Sequence, residues 1–403
     1  MIYNFDKVID RRNSGSVKWD KKDEVFQEVD VLPMWVADMD FPSPMPIIEA
    51  IKQRADHGIF GYSTMHDGYY DAIIQWNQRR HQWSLEKDWI TISSGVVPAL
   101  NTIVKTFTEP GDKIIIQSPV YYPFTNAIVE NGREVLLNRL QLKNGRYYMD
   151  FEDLREQLDS SVKMIILCNP HNPGGSVWTK EELQELGEIC LANHILVVSD
   201  EIHCDLVYTD YKYTPFASIS KAFEQNSICC TAPSKTFNLA GLQLSNIIIP
   251  NADLRKKFLG AVSRTPLQLT NPFAIAATES GYKEGDEWLD QLVTYLQKNV
   301  DYLTDYIDTH MKSITVIQPE STYLVWLDCR GLGLEPEKLE QLLVKRARVG
   351  FNQGYTFGPG GEGFVRVNIA CPQSVLREGL HRMNKVIQEL NNTSQSLSGT
   401  QNN

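Results

Sequence analysis

The sequence predicts an α/β protein: a large domain with a mostly parallel central sheet flanked by helices, and a smaller α+β domain after it. Three observations carry that expectation. Short runs of residues are apolar throughout, helical patterns alternate with them, and the pattern changes near Asp286. The runs are Lys113-Ile-Ile-Ile-Gln117, Met164-Ile-Ile-Leu-Cys168, Ile195-Leu-Val-Val-Ser199, residues 228–231 and Asn246-Ile-Ile-Ile249. Strands that are apolar along their whole length are buried on both faces, as in a parallel sheet. Their alternation with helices argues for an open α/β core.

The elements follow in order. A helix is expected after Ser43, with Ser43 as cap, Pro44 at the first position, and Ile47, Ile48 and Ile51 on one face. Gly58 is its expected stop. Thr179-Lys-Glu-Glu182 is a capping box opening a helix with Leu183, Leu186, Ile189 and Cys190 on one side. From Asp286 a long helical stretch runs through Trp288, Leu292, Tyr295 and Leu296. Strand (322–328), helix (335–348) and strand (363–369) follow. The expected organisation is an N-terminal segment, 1–45, packing with the small domain; a large domain, 46–285; the small domain, 286–390; and a flexible tail, 391–403, which is polar and aperiodic.

Composition narrows the function classes. The chain has 403 residues, 42% hydrophobic and 22% charged, ordinary for a soluble globular protein. A formal net charge of -11 argues against a nucleic-acid partner. No window approaches the ~20 apolar residues of a membrane span, and the N-terminus lacks the apolar core of a signal peptide. The seven cysteines form no CxxC pair, so no metal is expected, and several lie in apolar runs, consistent with a reducing cytoplasm.

In open α/β sheets, ligands bind beyond the carboxyl ends of the strands. Asn169 follows one predicted strand, Asp200 the next, and Ser234-Lys235 a third. A lysine desolvated at such a place loses its preference for the charged form and becomes a nucleophile toward aldehydes and a base. One competing motif is rejected. Gly358-Pro-Gly-Gly-Glu-Gly363 matches GxGxxG, but it precedes a strand instead of opening a helix, so no dinucleotide site is expected there.

Four motifs resemble the fold-type-I pyridoxal-phosphate enzymes, the aspartate aminotransferase superfamily. They are Asn169-Pro-His-Asn-Pro-Gly-Gly175, Ser199-Asp-Glu-Ile-His203, Ser234-Lys-Thr-Phe-Asn238 and Arg366-Val-Asn-Ile-Ala370. Leu32-Pro-Met-Trp-Val-Ala-Asp-Met-Asp-Phe41 and Gly358-Pro-Gly-Gly-Glu-Gly-Phe364 look like the cystathionine β-lyase (C–S lyase) branch, the MalY/PatB type.

The resemblance implies roles. Lys235 holds the cofactor aldehyde and then serves as base at the substrate Cα. Asp200 pairs with the pyridine nitrogen, and Asn172 and His203 lie near the phenolic oxygen. Aminotransferases usually have tyrosine where His203 stands, so a packing role for it stays open. Tyr121 stacks on the ring, with Tyr122 near substrate or phosphate. Gly95, Val96 and Val97 offer backbone N–H groups to the phosphate at a helix N-terminus, and Ser234 adds a hydroxyl. Tyr62 reaches the phosphate of a neighbouring subunit, which implies a homodimer with shared sites. Gln243 replaces the arginine that commonly grips the phosphate. Arg366 holds the substrate α-carboxylate.

The implied activity is β-elimination from an L-cysteine S-conjugate, with cystathionine leading, to a thiol, pyruvate and ammonia. Lys235 or Tyr122 gives the departing sulfur its proton. An aminotransferase on the same fold, a lyase acting on Cys or Cys-Gly conjugates, and a regulatory protein of this fold are the alternatives.

Overall fold

The apolar β-branched runs form the centre of the larger of two units. The computed structural model describes residues 2–264 and 271–399. One unit comprises Pro42–Val293 with Glu320–Thr322; the other comprises Ile2–Phe41, Thr294–Pro319 and the chain from Tyr323. In the first, β1 (Ile90–Ser93), β2 (Lys113–Ser118), β3 (Glu134–Arg139), β4 (Val162–Cys168), β5 (Leu196–Asp200), β6 (Ser227–Thr231) and β7 (Ser245–Ile248) form a 7-stranded sheet in the order β1-β7-β6-β5-β4-β2-β3. Every position of β6 is buried, as full-length apolarity demands. Ile114, Ile116, Met164, Ile166, Val198 and Ile228 pack with Leu100, Ile103 and Val104 of a neighbouring helix into one core.

Two features depart from the sequence expectation. Strand β7 runs antiparallel to both β1 and β6, while the other neighbours are parallel. Burial alone carries no direction. The residues between β6 and β7 hold only one-turn helices, Pro233–Thr236 and Ala240–Leu242, too short to carry the chain back for a parallel strand. Strand β3 was not anticipated. It lies at the sheet edge with Glu134 and Arg139 exposed, so its pattern is neither fully apolar nor cleanly alternating.

The helices α1 (Met45–Asp56), α2 (Asp67–His81), α3 (Val96–Phe107) and α4 (Lys180–Ala192) belong to the same unit. Ser43 does not cap α1: Pro44 occupies the N-cap and no side chain closes it. Gly58 does end the helix, with φ +76° and its N–H on the Ala55 carbonyl at 3.0 Å. The capping box of α4 is complete. The Glu182 N–H donates to Thr179 Oγ1 at 3.1 Å and the Thr179 N–H to Glu182 Oε2 at 2.8 Å.

The second unit holds an antiparallel sheet of β8 (Thr315–Ile317), β9 (Leu324–Asp328), β10 (Asn352–Gln353) and β11 (Phe364–Asn368), in the order β8-β9-β11-β10. The single helix expected over 335–348 is Pro336–Gln341 followed by a wider turn, Leu342–Arg346. The last helix, Gln373–Gly399, continues past Leu390 into the segment expected as a flexible tail; residues 400–403 lie outside the described ones. No described helix is long and apolar enough to cross a membrane. All seven cysteines are free and buried.

Candidate active site

Strands β4, β5 and β6 are parallel neighbours, so their carboxyl ends lie side by side. Asn169 follows β4, Asp200 ends β5, and Lys235 sits in the short helix Pro233–Thr236 just past β6. The three polar residues read as strand-end groups therefore meet at one edge of the sheet.

Asp200 is the electrostatic centre. It is 4% exposed, and its Oδ1 accepts from the Ile202 N–H at 3.2 Å. Its in-register neighbours are Cys168 on β4 and Cys230 on β6. Residues in register share a face of the sheet, so two apolar thiols flank the carboxyl. Burial raises its pKa to about 7, against the pull of the Lys235 charge nearby. Burial and the Asp200 charge push both thiols up, so they stay protonated. Burial costs this carboxyl more than the Lys235 charge returns, so its charged form has room for a further cation. A protonated ring nitrogen supplies one, so the donor set fits a pyridinium cofactor.

The remaining predicted residues take these places. Asn172 is buried, and its N–H donates to Cys168 Sγ at 3.4 Å. His203 is buried in the turn after β5. Tyr121 is half-buried against the core, 5.5 Å from the Tyr122 ring and 6.0 Å from the Phe124 ring. Tyr122 is 48% exposed. Gly95 is the N-cap of α3, with Val96 and Val97 in its first turn. No side chain caps this helix, and Pro98 brings no N–H, so the first-turn N–H groups stay available to an anion. Ser234 is half-buried in the helix of Lys235. Gln243 is exposed and, with Ser94, walls a cavity of about 680 Å3. Tyr62 is 95% exposed and follows Ile59 and Phe60, also exposed.

Arg366 belongs to the second unit, in the middle of β11. It is buried, its Nη2 donates to Asn352 Oδ1 at 2.7 Å and to the Trp35 carbonyl at 3.3 Å, and its guanidinium lies 4.9 Å from the Phe357 ring centroid. The loop it touches is pinned. Asn368 Nδ2 donates to the Val36 and Asp38 carbonyls at 2.6 Å each, and the Tyr323 hydroxyl to the Ala37 carbonyl at 2.9 Å. Asp40 accepts from Lys18 Nζ at 2.8 Å, Arg11 Nη1 at 2.7 Å and Trp19 Nε1 at 2.9 Å.

Sequence reasoning gave no role to two buried acids in the segment after β5, Glu201 and Asp205. Glu201 is buried and accepts from Ser199 Oγ (2.8 Å), the Tyr213 hydroxyl (2.5 Å) and the Phe216 N–H (2.9 Å). Asp205 gathers donors from Trp76, His81 and Thr236. The signal for Asp205 was its place in the polar run after β5; His81, 124 residues away in sequence, offered none.

A mixed sheet in this strand order, with asparagine, aspartate and lysine at adjacent strand ends, defines an aminotransferase-type fold. The chain belongs to the aminotransferase class I and II family, whose profile matches residues 29–383. It is 48% identical to cystathionine beta-lyase PatB of Bacillus subtilis (strain 168), across 94% of this chain and 98% of that one. It is 33% identical to protein MalY of Escherichia coli (strain K12), across 94% and 97%. Cystalysin from Treponema denticola, whose crystal structure contains a pyridoxal 5'-phosphate cofactor, superposes with TM-score 0.94 at 40% identity, across 97% of this chain and 100% of that one.

Proposed function

We propose that this chain is a pyridoxal-phosphate-dependent C–S β-lyase of the cystathionine β-lyase type. It cleaves L-cysteine S-conjugates by α,β-elimination to a thiol, pyruvate and ammonia. The observation that carries this is the juxtaposition of Asn169, Asp200 and Lys235 at adjacent strand ends, in a chain 48% identical to a cystathionine beta-lyase. When bound, pyridoxal phosphate supplies an aldehyde that takes up amines and a ring that accepts the electron pair released from Cα.

The chain's own residues do the rest. Lys235 Nζ would hold the aldehyde and, when free, would take the Cα proton. Asp200 would keep the ring nitrogen protonated: a unit charge pair at ~4 Å and an effective dielectric near 20 contributes about 4 kcal/mol. Asn172 and His203 would serve the phenolic oxygen, and Tyr121 would stack on the ring. The N–H groups of Gly95, Val96 and Val97, with the Ser234 hydroxyl, hold the phosphate. Loss of the Cα proton and departure of the thiolate from Cβ leave an enamine that water hydrolyses to pyruvate and ammonia. The thiolate takes its proton from Lys235 or Tyr122. Tyr62 and the exposed Ile59 and Phe60 support a homodimer in which Tyr62 serves the partner's phosphate. The seven free, buried cysteines support a cytoplasmic setting.

L-Cystathionine given to the cofactor-loaded protein without any keto acid is expected to yield pyruvate and free thiol in equal amounts. Turnover that starts only when a keto acid is added would reassign the chain as an aminotransferase.

Arg366 receives the substrate α-carboxylate in this reading, its fork already aimed by Asn352 and the Trp35 carbonyl. Arg366→Lys keeps the charge and loses the two-pronged geometry. KM for L-cystathionine is expected to rise roughly tenfold to a hundredfold, the worth of one charged hydrogen bond, with a smaller change in kcat. An unchanged KM removes Arg366 from the substrate site.

A further inference from the structure

We propose that Asp205 is a positioning residue for Lys235, acting through Thr236. The proposal rests on the role given to Lys235 above and adds what holds that lysine in place. Lys235 rides on Pro233–Thr236, a helix of 4 residues. One helical turn does not sustain itself, because its ordering cost exceeds the gain from its single hydrogen bond. Its geometry must come from tertiary anchors, and the residue after the lysine supplies one. Thr236 is fully buried, and its hydroxyl donates to Asp205 Oδ2 at 2.6 Å. Phe237 follows, buried with its ring 5.5 Å from Trp76 and 5.9 Å from Tyr282.

Asp205 is itself fixed from two further directions. Its Oδ1 accepts from Trp76 Nε1 at 2.9 Å and lies 2.8 Å from His81 Nε2, both on helix α2. One carboxylate therefore ties together α2, the turn after β5 and the lysine helix. That turn follows directly on the strand that ends at Asp200, so Asp200 and the anchor of the lysine lie only five residues apart in the chain. Burial alone would raise the Asp205 pKa, but the donors from His81, Thr236 and Trp76 hold it below the usual value, and it stays a carboxylate. Cys204 brings its sulfur within 4.8 Å of the His81 and Asp205 ligand atoms. This is not a metal-binding arrangement. Both Asp205 oxygens are already taken by donors, and burial with the neighbouring Asp205 charge keeps the Cys204 thiol protonated.

The test compares Thr236→Val, which keeps the shape and loses the donor, with Thr236→Ser, which keeps the hydroxyl. Positioning errors of about 1 Å cost on the order of a hundredfold in rate. Thr236→Val is expected to lower kcat by roughly tenfold to a hundredfold with little change in KM, and Thr236→Ser to restore most of it. A second readout uses the cofactor-free protein: acylation of Lys235 by an amine-directed reagent, followed by peptide mass spectrometry, should change in rate in Thr236→Val and not in Thr236→Ser. Thermal unfolding shows whether each variant is folded. If Thr236→Val does not fold, Asp205→Asn carries the same test, since its amide cannot accept from all three donors. Unchanged kcat and labelling in a folded variant, or equal losses in Val and Ser, overturn the proposal. A wild-type protein that shows no elimination while its Lys235 labelling still depends on Thr236 points to failure of the lyase reading alone.

Discussion

Lys235→Ala is expected to abolish turnover, lowering kcat by roughly 10,000-fold or more, the upper range for losing a general base. The lysine lies in the short helix that follows β6, where its charge acts on Asp200. In the proposed mechanism its loss removes both the attachment point and the base. Two measurements check this. Borohydride treatment of the loaded wild-type protein should fix one cofactor mass on the peptide containing Lys235, and the alanine variant should take none. The alanine variant should also release no pyruvate from L-cystathionine. A variant that keeps wild-type turnover sinks the assignment of the whole site.

Asp200→Asn is expected to act in opposite directions on activity and on stability. The asparagine cannot keep the ring nitrogen protonated, so kcat should fall by roughly a hundredfold, a share of the ~3 pKa units that a charge pair of this kind is worth. In the cofactor-free protein the same change should stabilise. The ordinary pKa of 3.8 rises to about 7 in the folded chain, because burial disfavours the charged form. Between those values the folded chain binds a proton that the unfolded chain has lost, so stability falls as pH rises through that window. The full shift is worth about 4 kcal/mol above pH 7. Cofactor-free wild type should therefore lose stability from pH 4 to pH 7, and Asp200→Asn should not. Denaturant unfolding at several pH values reads the difference directly. Parallel pH curves for the two proteins would mean that Asp200 already has a compensating partner.

The strands and the strand-end residues were legible because they follow from local chemistry. A run such as Met164-Ile-Ile-Leu-Cys168 has nowhere to go but the interior, and polar groups just beyond such runs must gather at a sheet edge. The Thr179 capping box was legible for the same reason, since both its hydrogen bonds close within four residues. Ser43 failed as a cap because the chain enters α1 one residue later, a choice that local propensity does not make. The edge strand Glu134–Arg139 was hidden because half-buried positions tolerate polar residues.

By itself, then, the sequence determined most of the buried strands and the chemical groups at or just past their ends, Asn169, Asp200 and Lys235, with Arg366 inside a strand of its own. These depend on residue identity and nearest neighbours. Only the tertiary structure decided the direction of Ser245–Ile248, the placement of Cys168 and Cys230 on either side of Asp200, and the convergence of Trp76, His81 and Thr236 on Asp205. Those contacts join residues up to 129 positions apart. They exist because strand register and helix packing bring distant donors to one buried carboxylate, whose desolvation would be costly without them.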